Sequence, residues 1–299
     1  MECNRTMDIM SKIYGLILLL SLSAFGQFHF DHEIAPSFGE RMVRFSSLTV
    51  SQFGDFYLIE SKGHEIYRLN PTGQILNISG GFGWEEERFD TPLDITMASG
   101  LDLLVADYNN HRIVRFDREL NYLTSYPDPN SDIELSFPRS VAMTNLGEIF
   151  ILSDENAEII RLSVSQNSVL KFGGIEYGAY ALTNPLLIRI NQSGIIHVIE
   201  ENGRILQFDR FGTPIKRLRV PIEAEIRDMA VAGDDIILLV FKKEPILMQY
   251  SAKKQTWLRL QIEDLPESNS WVSIKYRNDN LFLLTSGGRI FVCNRMNNK

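Results

Sequence analysis

Three acids end short apolar runs at matching places in the chain. Glu60 follows Phe56-Tyr57-Leu58-Ile59, Asp107 follows Leu103-Leu104-Val105-Ala106, and Glu200 follows Ile196-His197-Val198-Ile199. Carboxylates that recur at one structural position could ring one mouth of a channel and hold a Ca²⁺ ion, which takes about six to eight oxygen ligands, or a cationic ligand. Ser153 and Ser286 fall near the same place in other units. The local alternative is that each side chain accepts hydrogen bonds from the backbone amides of the following turn. Because the position recurs wherever the turn recurs, the turn role is the simpler reading. Five histidines, His29, His32, His64, His111 and His197, raise the question of zinc, which would need three of them converging around an open coordination position.

A second set could bind. Asp94, Arg139, Arg189, Arg227, Asp228 and Lys275 lie near the first strand of successive units. Facing a common channel, they would make a ligand site, since a concave mouth focuses the field of its charges. They would serve equally as ion pairs between neighbouring units. No Ser-His-Asp spacing, nucleophile elbow, phosphate-cradling glycine loop or cysteine pair names a reaction.

The elements that must position these residues are repeated. Residues 102–117, an apolar run, a polar turn and an alternating run, read as a β-hairpin. Residues 55–70 align beneath them without a gap at an offset of 47 (111 minus 64), and Glu148–Ser153 with Glu158–Ser163 follow at 46 (153 minus 107). A strand-rich period of that length marks a repeat architecture, because one small sheet cannot cover both its faces.

Each full unit has four strands. In the second they are Leu93–Met97, Leu103–Asp107, Arg112–Asp117 and Tyr122–Tyr126. The first unit spans about Leu48–Ser79, the third Pro138–Phe172, the fourth Leu186–Val220 and the fifth Ile226–Ile262. The sixth begins at Trp271 and ends at Asn294, one strand short, while Phe28–Ile34 alternates apolar and polar residues without a hairpin partner. Pairing that first strand beside Arg289–Asn294 closes a ring and removes exposed edges. The expected fold is all-β, a six-bladed propeller of four-stranded antiparallel blades whose last blade is completed by the N-terminal strand. In such a ring His64 and His111 are one blade apart, roughly 10 Å or more given strand spacings near 4.8 Å, which makes shared metal ligation difficult.

Asp107-Tyr108-Asn109-Asn110-His111-Arg112-Ile113-Val114-Arg115-Phe116 resembles the signature of the NHL repeat, and Gly80-Gly81-Phe82-Gly83 with Arg88-Phe89 and Pro92 resembles the linker preceding it in that family. The resemblance is specific in the first three units, recognisable in the fourth and weak in the last two. It implies a six-bladed propeller. The family includes interaction scaffolds, RNA binders and some lyases or hydrolases, so activity does not follow from it.

The formal charge is −8, and the first 26 residues add nothing to it because Glu2 and Asp8 cancel Arg5 and Lys12. Phosphate backbones are met by clustered Lys and Arg, so nucleic acid is not expected as a partner. Residues 1–26 read as a cleaved signal: Lys12, then an apolar run from Ile13 to Leu22 too short to span a bilayer, then Ala24-Phe25-Gly26. Residues 27–299 would then be a monomeric propeller, periplasmic or secreted, with no membrane insertion. Of two cysteines, Cys3 lies in the signal and Cys293 stands alone, so packing must hold the fold. The expected function is a non-enzymatic platform for a protein, peptide or glycan, with no cofactor beyond a possible Ca²⁺ ion. The alternative is a metal-dependent hydrolase or lyase, similar to the gluconolactonase-like and amidating-lyase propellers, with its site at the channel mouth.

Overall fold

The second strand of each repeat is apolar on both faces, so it must be covered from two sides. The computed structural model, which describes residues 28–97, 102–128, 133–163 and 168–296, shows how this is done. The segment read as a signal lies outside the described residues. A first strand, β1 (Phe28–Ile34), is followed by blade 1, formed by β2 (Phe45–Val50), β3 (Phe56–Glu60), β4 (Glu65–Leu69) and β5 (Ile75–Gly80). Blade 2 comprises β6 (Pro92–Met97), β7 (Leu103–Asp107), β8 (Arg112–Phe116) and β9 (Tyr122–Tyr126). Blade 3 comprises β10 (Pro138–Met143), β11 (Glu148–Ser153), β12 (Glu158–Ser163) and β13 (Ser168–Phe172). Blade 4 comprises β14 (Pro185–Ile190), β15 (Ile196–Glu200), β16 (Arg204–Phe208) and β17 (Pro214–Arg219). Blade 5 comprises β18 (Glu225–Ala232), β19 (Asp235–Phe241), β20 (Pro245–Ser251) and β21 (Thr256–Arg259). The short β22 (Ile262–Glu263) precedes β23 (Trp271–Arg277), β24 (Asn280–Thr285) and β25 (Ile290–Arg295) of blade 6.

Within each of blades 1 to 5 the strands pair antiparallel in chain order, and the inner strands β2, β6, β10, β14, β18 and β23 neighbour one another in a closed cycle. The structure is the six-bladed propeller that the repeats imply. Successive residues of a strand point to opposite faces. Thus Phe56 and Leu58 of β3 join the apolar cluster shared with blade 6, while Tyr57 and Ile59 join the one shared with blade 2. Among the described residues each of the six junctions between blades has one such cluster. At roughly 25 cal/mol per Å² of buried apolar surface, these junctions are the main source of cohesion.

The ring closes as the short sixth unit requires. β1 runs antiparallel to β25, from Phe28 opposite Arg295 to Ile34 opposite Ile290, with a register shift between Phe30 and His32. Phe28 and Ile34 are buried at its two ends, and Glu33 pairs with Arg289, just before β25. The fifth unit, expected to reach Ile262, ends at Arg259. Ile262 and Glu263 instead pair in parallel with Phe28 and His29, covering the outer edge of β1 as a fifth strand of blade 6.

Deleting residues 28–34 should remove two fully buried apolar anchors and expose the edge of β25. At about 1.5–3 kcal/mol per anchor, with the ladder lost as well, the melting midpoint should fall sharply and aggregation should rise. Calorimetry of the truncated chain checks this, and an unchanged, cooperative transition in soluble material is the contrary outcome.

Candidate functional site

Every inner strand carries a register shift at the same place, between Phe45 and Ser47, Pro92 and Asp94, Pro138 and Ser140, Pro185 and Leu187, Ile226 and Asp228, and Trp271 and Ser273. A bulge adds one residue and re-aims the side chains around it. It sets Ser47, Asp94, Ser140, Leu187, Asp228 and Ser273 at one repeat position. Four of these stitch one blade to the next. Asp94 Oδ2 accepts from the Val141 amide at 3.2 Å and from the Ser140 hydroxyl, whose oxygen in turn accepts from the Ile188 amide at 3.1 Å. Asp228 Oδ2 accepts from the Ile274 amide at 2.8 Å and the Ser273 hydroxyl at 2.5 Å, and Ser273 Oγ accepts from the Leu48 amide at 3.2 Å. The two chains of bonds run through blades 2, 3 and 4 and through blades 5, 6 and 1.

Arg189 joins them. From blade 4 its guanidinium donates to Asp94 Oδ2 at 2.8 Å and Oδ1 at 3.2 Å, to Asp228 Oδ1 at 3.0 Å, and to the Met229 carbonyl at 3.0 Å. Asp94 and Asp228 come from blades 2 and 5, three steps apart and so on opposite sides of the ring. Burial works against the charge of Arg189, but the two carboxylates outweigh it and raise its pKa further above the arginine range. Lys275, on β23, shows the opposite balance. Burial first, then the neighbouring Arg189, lower it to about 8 against the pull of Asp94 and Asp228.

Of the charged residues read from the sequence as a ligand set, the structure therefore brings Asp94, Arg189 and Asp228 together inside the channel, with Lys275 beside them. Arg139 and Arg227 stand apart, at the bulges nearer the mouth on the side of the strand 2–3 turns. Arg139 pairs with Asp154 at 3.1 Å, and Arg227 donates to the Trp271 carbonyl at 2.8 Å over the ring of Phe241. Arg277 and the serines Ser140 and Ser273 were missed. Aligning the inner strands would have found the serines, which share one position with Asp94 and Asp228.

The repeat acids do not converge. Each is used inside its own blade, and its principal amide belongs to the segment leading into the inner strand rather than, as expected, to the following turn. Glu60 accepts from the Arg44 amide at 2.7 Å, Asp107 from Asp90 at 2.8 Å, and Glu200 from Thr183 at 2.7 Å. Only Glu60 also takes amides of the following turn, those of Lys62 at 3.3 Å and Gly63 at 2.5 Å. Arg112 pairs with Asp107 at 2.9 Å and Arg204 with Glu200 at 2.6 Å. Burial raises the Asp107 pKa, opposed by its bonds from Asn110 and Arg112. In blade 3 the Ser153 hydroxyl donates to the Ser136 carbonyl at 2.8 Å, whereas in blade 6 Thr285, not Ser286, holds the equivalent place opposite the first inner-strand residue. Among the described residues no three His, Cys, Asp or Glu side chains gather so as to hold a metal ion.

The histidines also serve the frame. His64 and His111 adopt positive φ at the end of the strand 2–3 turn. Each accepts a hydrogen bond on Nδ1 from the next blade's leading segment, from the Thr91 amide at 2.9 Å and the Phe137 amide at 3.2 Å. His197 lies buried with Nδ1 at 3.1 Å from Gln207 Nε2 and with Nε2 unpartnered, and burial lowers it to about 4. His29 and His32 sit on β1.

A family model described as the NHL repeat matches residues 89–116, the leading segment, inner strand and hairpin of blade 2. The six-bladed propeller thus carries an NHL repeat in its second blade. Protein brain tumor of Drosophila melanogaster is 28% identical over 141 residues, which cover 46% of this chain but only 13% of that much longer relative. A catalytically inactive virginiamycin B lyase from Staphylococcus aureus, solved with quinupristin, superposes with a TM-score of 0.61 at 16% identity, covering 88% of this chain and 83% of the lyase. The β-propeller domain of Cps50 (Swd1) from Myceliophteria thermophila gives 0.61 at 9% identity, covering 90% and 100%. At such identities the likeness to solved structures concerns the fold alone, and it extends to proteins of quite different kinds.

Two outcomes are expected of the propeller's channel. Arg189→Met leaves Asp94 and Asp228 buried without their cation and should cost about 3–5 kcal/mol in denaturant unfolding. Arg189→Lys should not restore the loss, because one ammonium cannot span two carboxylates as a planar guanidinium does. Separately, His197 takes up a proton near pH 6.5 when unfolded but only near 4 when folded. Its neutral form therefore stabilises the fold above pH 6.5, and this contribution, about 3 kcal/mol, is lost as the pH falls from 6.5 to 4. Unfolding of His197→Gln at pH 7, 5 and 4 should show a much shallower acid dependence than the parent, and an equal dependence would refute the assignment.

Proposed function

We propose that this chain is an exported, non-enzymatic propeller that captures a protein or peptide partner on the face carrying the strand 2–3 turns and the connections between blades. The observation that carries this reading is the exposure of large apolar side chains on that face from a braced loop. Trp84 is 75% exposed and Phe82 68%, with Met42 of the preceding connection at 84%. The loop beneath them is held by the NHL hairpin itself. Arg112 donates to the carbonyls of Trp84 at 3.0 Å, Glu85 at 2.7 Å and Arg88 at 2.6 Å, and Asn110 donates to that of Gly83 at 2.8 Å. The ring of His64 packs edge-on against Phe82. Aromatic anchors held ready lose little conformational freedom on binding, which is the character of an interface hot spot. Tyr177 and Tyr180 pack against Phe208 and offer no such anchor. The acidic balance of the chain supports a protein or peptide over RNA, and the apolar run Ile13–Leu22 supports export to the periplasm or medium.

The test has two arms. Partners cross-linked to the exported protein should be lost, with affinity falling about tenfold or more, in Trp84→Ala and Phe82→Ala, whose exposed side chains leave the core untouched. Binding that both variants retain would remove the face from consideration. The protein supplied with Ca²⁺ or Zn²⁺ should turn over no lactone, ester or peptidyl-hydroxyglycine substrate, and saturable turnover would favour the lyase or hydrolase alternative. N-terminal sequencing of the recovered protein should begin near Gln27.

A further inference from the structure

The other end of the channel has a different chemistry. Beyond the Arg189 bridge, a cavity of about 370 Å³ opens among the strand 1–2 turns. Its walls carry three cations, Arg189, Lys275 and Arg277, and no carboxylate. The acids behind it are spent, because Asp94 and Asp228 each take a serine hydroxyl, a backbone amide and the Arg189 guanidinium. The acids at its rim are also engaged, Asp234 by the Asn191 amide group at 3.0 Å and Asp279 by the Tyr276 hydroxyl at 2.7 Å.

Lys275 and Arg277 are two residues apart on β23 and therefore project from the same face of the strand. Neither is fully satisfied. Lys275 makes no hydrogen bond or ion pair among the described residues. Arg277 gives one bond, from Nη1 to the Val50 carbonyl at 3.1 Å, and leaves a buried Nε without an acceptor. The buried Arg277 Nε left unmatched is costly unless something outside the chain completes it, and the half-buried Lys275 ammonium faces the same cavity without a partner. Burial accordingly lowers the pKa of both groups, that of Lys275 to about 8.

We propose that this cavity binds a small oxyanion, a carboxylate- or phosphate-bearing metabolite, with Lys275 and Arg277 as its direct ligands above the Asp94–Arg189–Asp228 bridge that closes the cavity. A flexible ammonium beside a planar guanidinium suits two or three oxygens on one centre. The volume lies at the small end of small-molecule sites and excludes a folded partner. The site lies at the opposite end of the channel from the exposed aromatics and is independent of the docking face.

The test is calorimetric titration and thermal unfolding of the full chain with sodium succinate, citrate or phosphate, against sodium chloride at equal ionic strength. Saturable binding and a rising melting temperature are expected, and the tighter of succinate and phosphate identifies the head group. Lys275→Met should abolish both effects. It should also raise the melting temperature without ligand, since the folded chain disfavours that charge, so loss of binding cannot be put down to misfolding. Arg277→Gln should weaken binding about tenfold. Succinate binding should also weaken above pH 8 as Lys275 discharges. The groups facing Lys275 are Asp94 on β6, Arg189 on β14, Asp228 on β18 and Arg277 on β23. Two results would overturn the site: no saturable effect beyond that of chloride, or an effect that Lys275→Met retains.

Discussion

The fold turns on one guanidinium. Six blades meeting around an axis leave a hole that side chains must fill, and the inner strands mostly offer small or polar residues there, such as Thr49, Thr96, Ala142 and Ala230. Arg189 fills the gap from blade 4 and fastens Asp94 of blade 2 to Asp228 of blade 5. Because each aspartate also holds the next blade through a serine and an amide, the charge network reaches blades 2 through 6 and, through Ser273, blade 1. Replacing such a network with apolar residues often costs little, so its value here is positional. It fixes which blades face one another across a centre too narrow for a hydrophobic core.

That constraint divides the molecule into two ends. On one side the bulges lift Arg139 and Arg227 towards the mouth, and the NHL hairpin braces a loop that presents Phe82 and Trp84. On the other side the same bridge becomes the floor of a cationic cavity. The repeat residues that resemble ligands, Glu60, Asp107, Glu200, His64 and His111, belong to neither function. They tie each turn to the segment leading into an inner strand, in their own blade for the acids and in the next for the histidines.

Most of the fold was legible in the sequence because its information is periodic. An offset of 46 or 47 residues, apolar second strands and an orphan strand at the start together specify a closed ring of six. The parallel pairing of Ile262 with Phe28 was not legible, since two residues carry no period. At the channel the sequence named Asp94, Arg189, Asp228 and Lys275 but could not tell ligand site from structural bridge. That distinction depends on which carboxylate a long side chain reaches across the axis, and no local pattern encodes it. Arg277 went unnoticed because it sits two residues past Lys275, at the end of the strand. The difference between the amide partners of Glu60, Asp107 and Glu200 and those expected has the same origin, a contact between segments about 17 residues apart.

The pairing of β1 with β25 also sets an order of events. The propeller's first strand has as its partner its last, with the register joining residues 28 and 295. Until the ribosome has delivered blade 6, β1 has neither of its neighbours, and the five completed blades form an open arc. Each internal junction is local and can form as its two blades emerge. The final junction must close a loop running from residue 28 to residue 295, an entropic cost that grows only slowly with length but arrives at once. The growing chain therefore spends its synthesis time with two unprotected flanks, the interval in which a chaperone or a neighbouring nascent chain would find it.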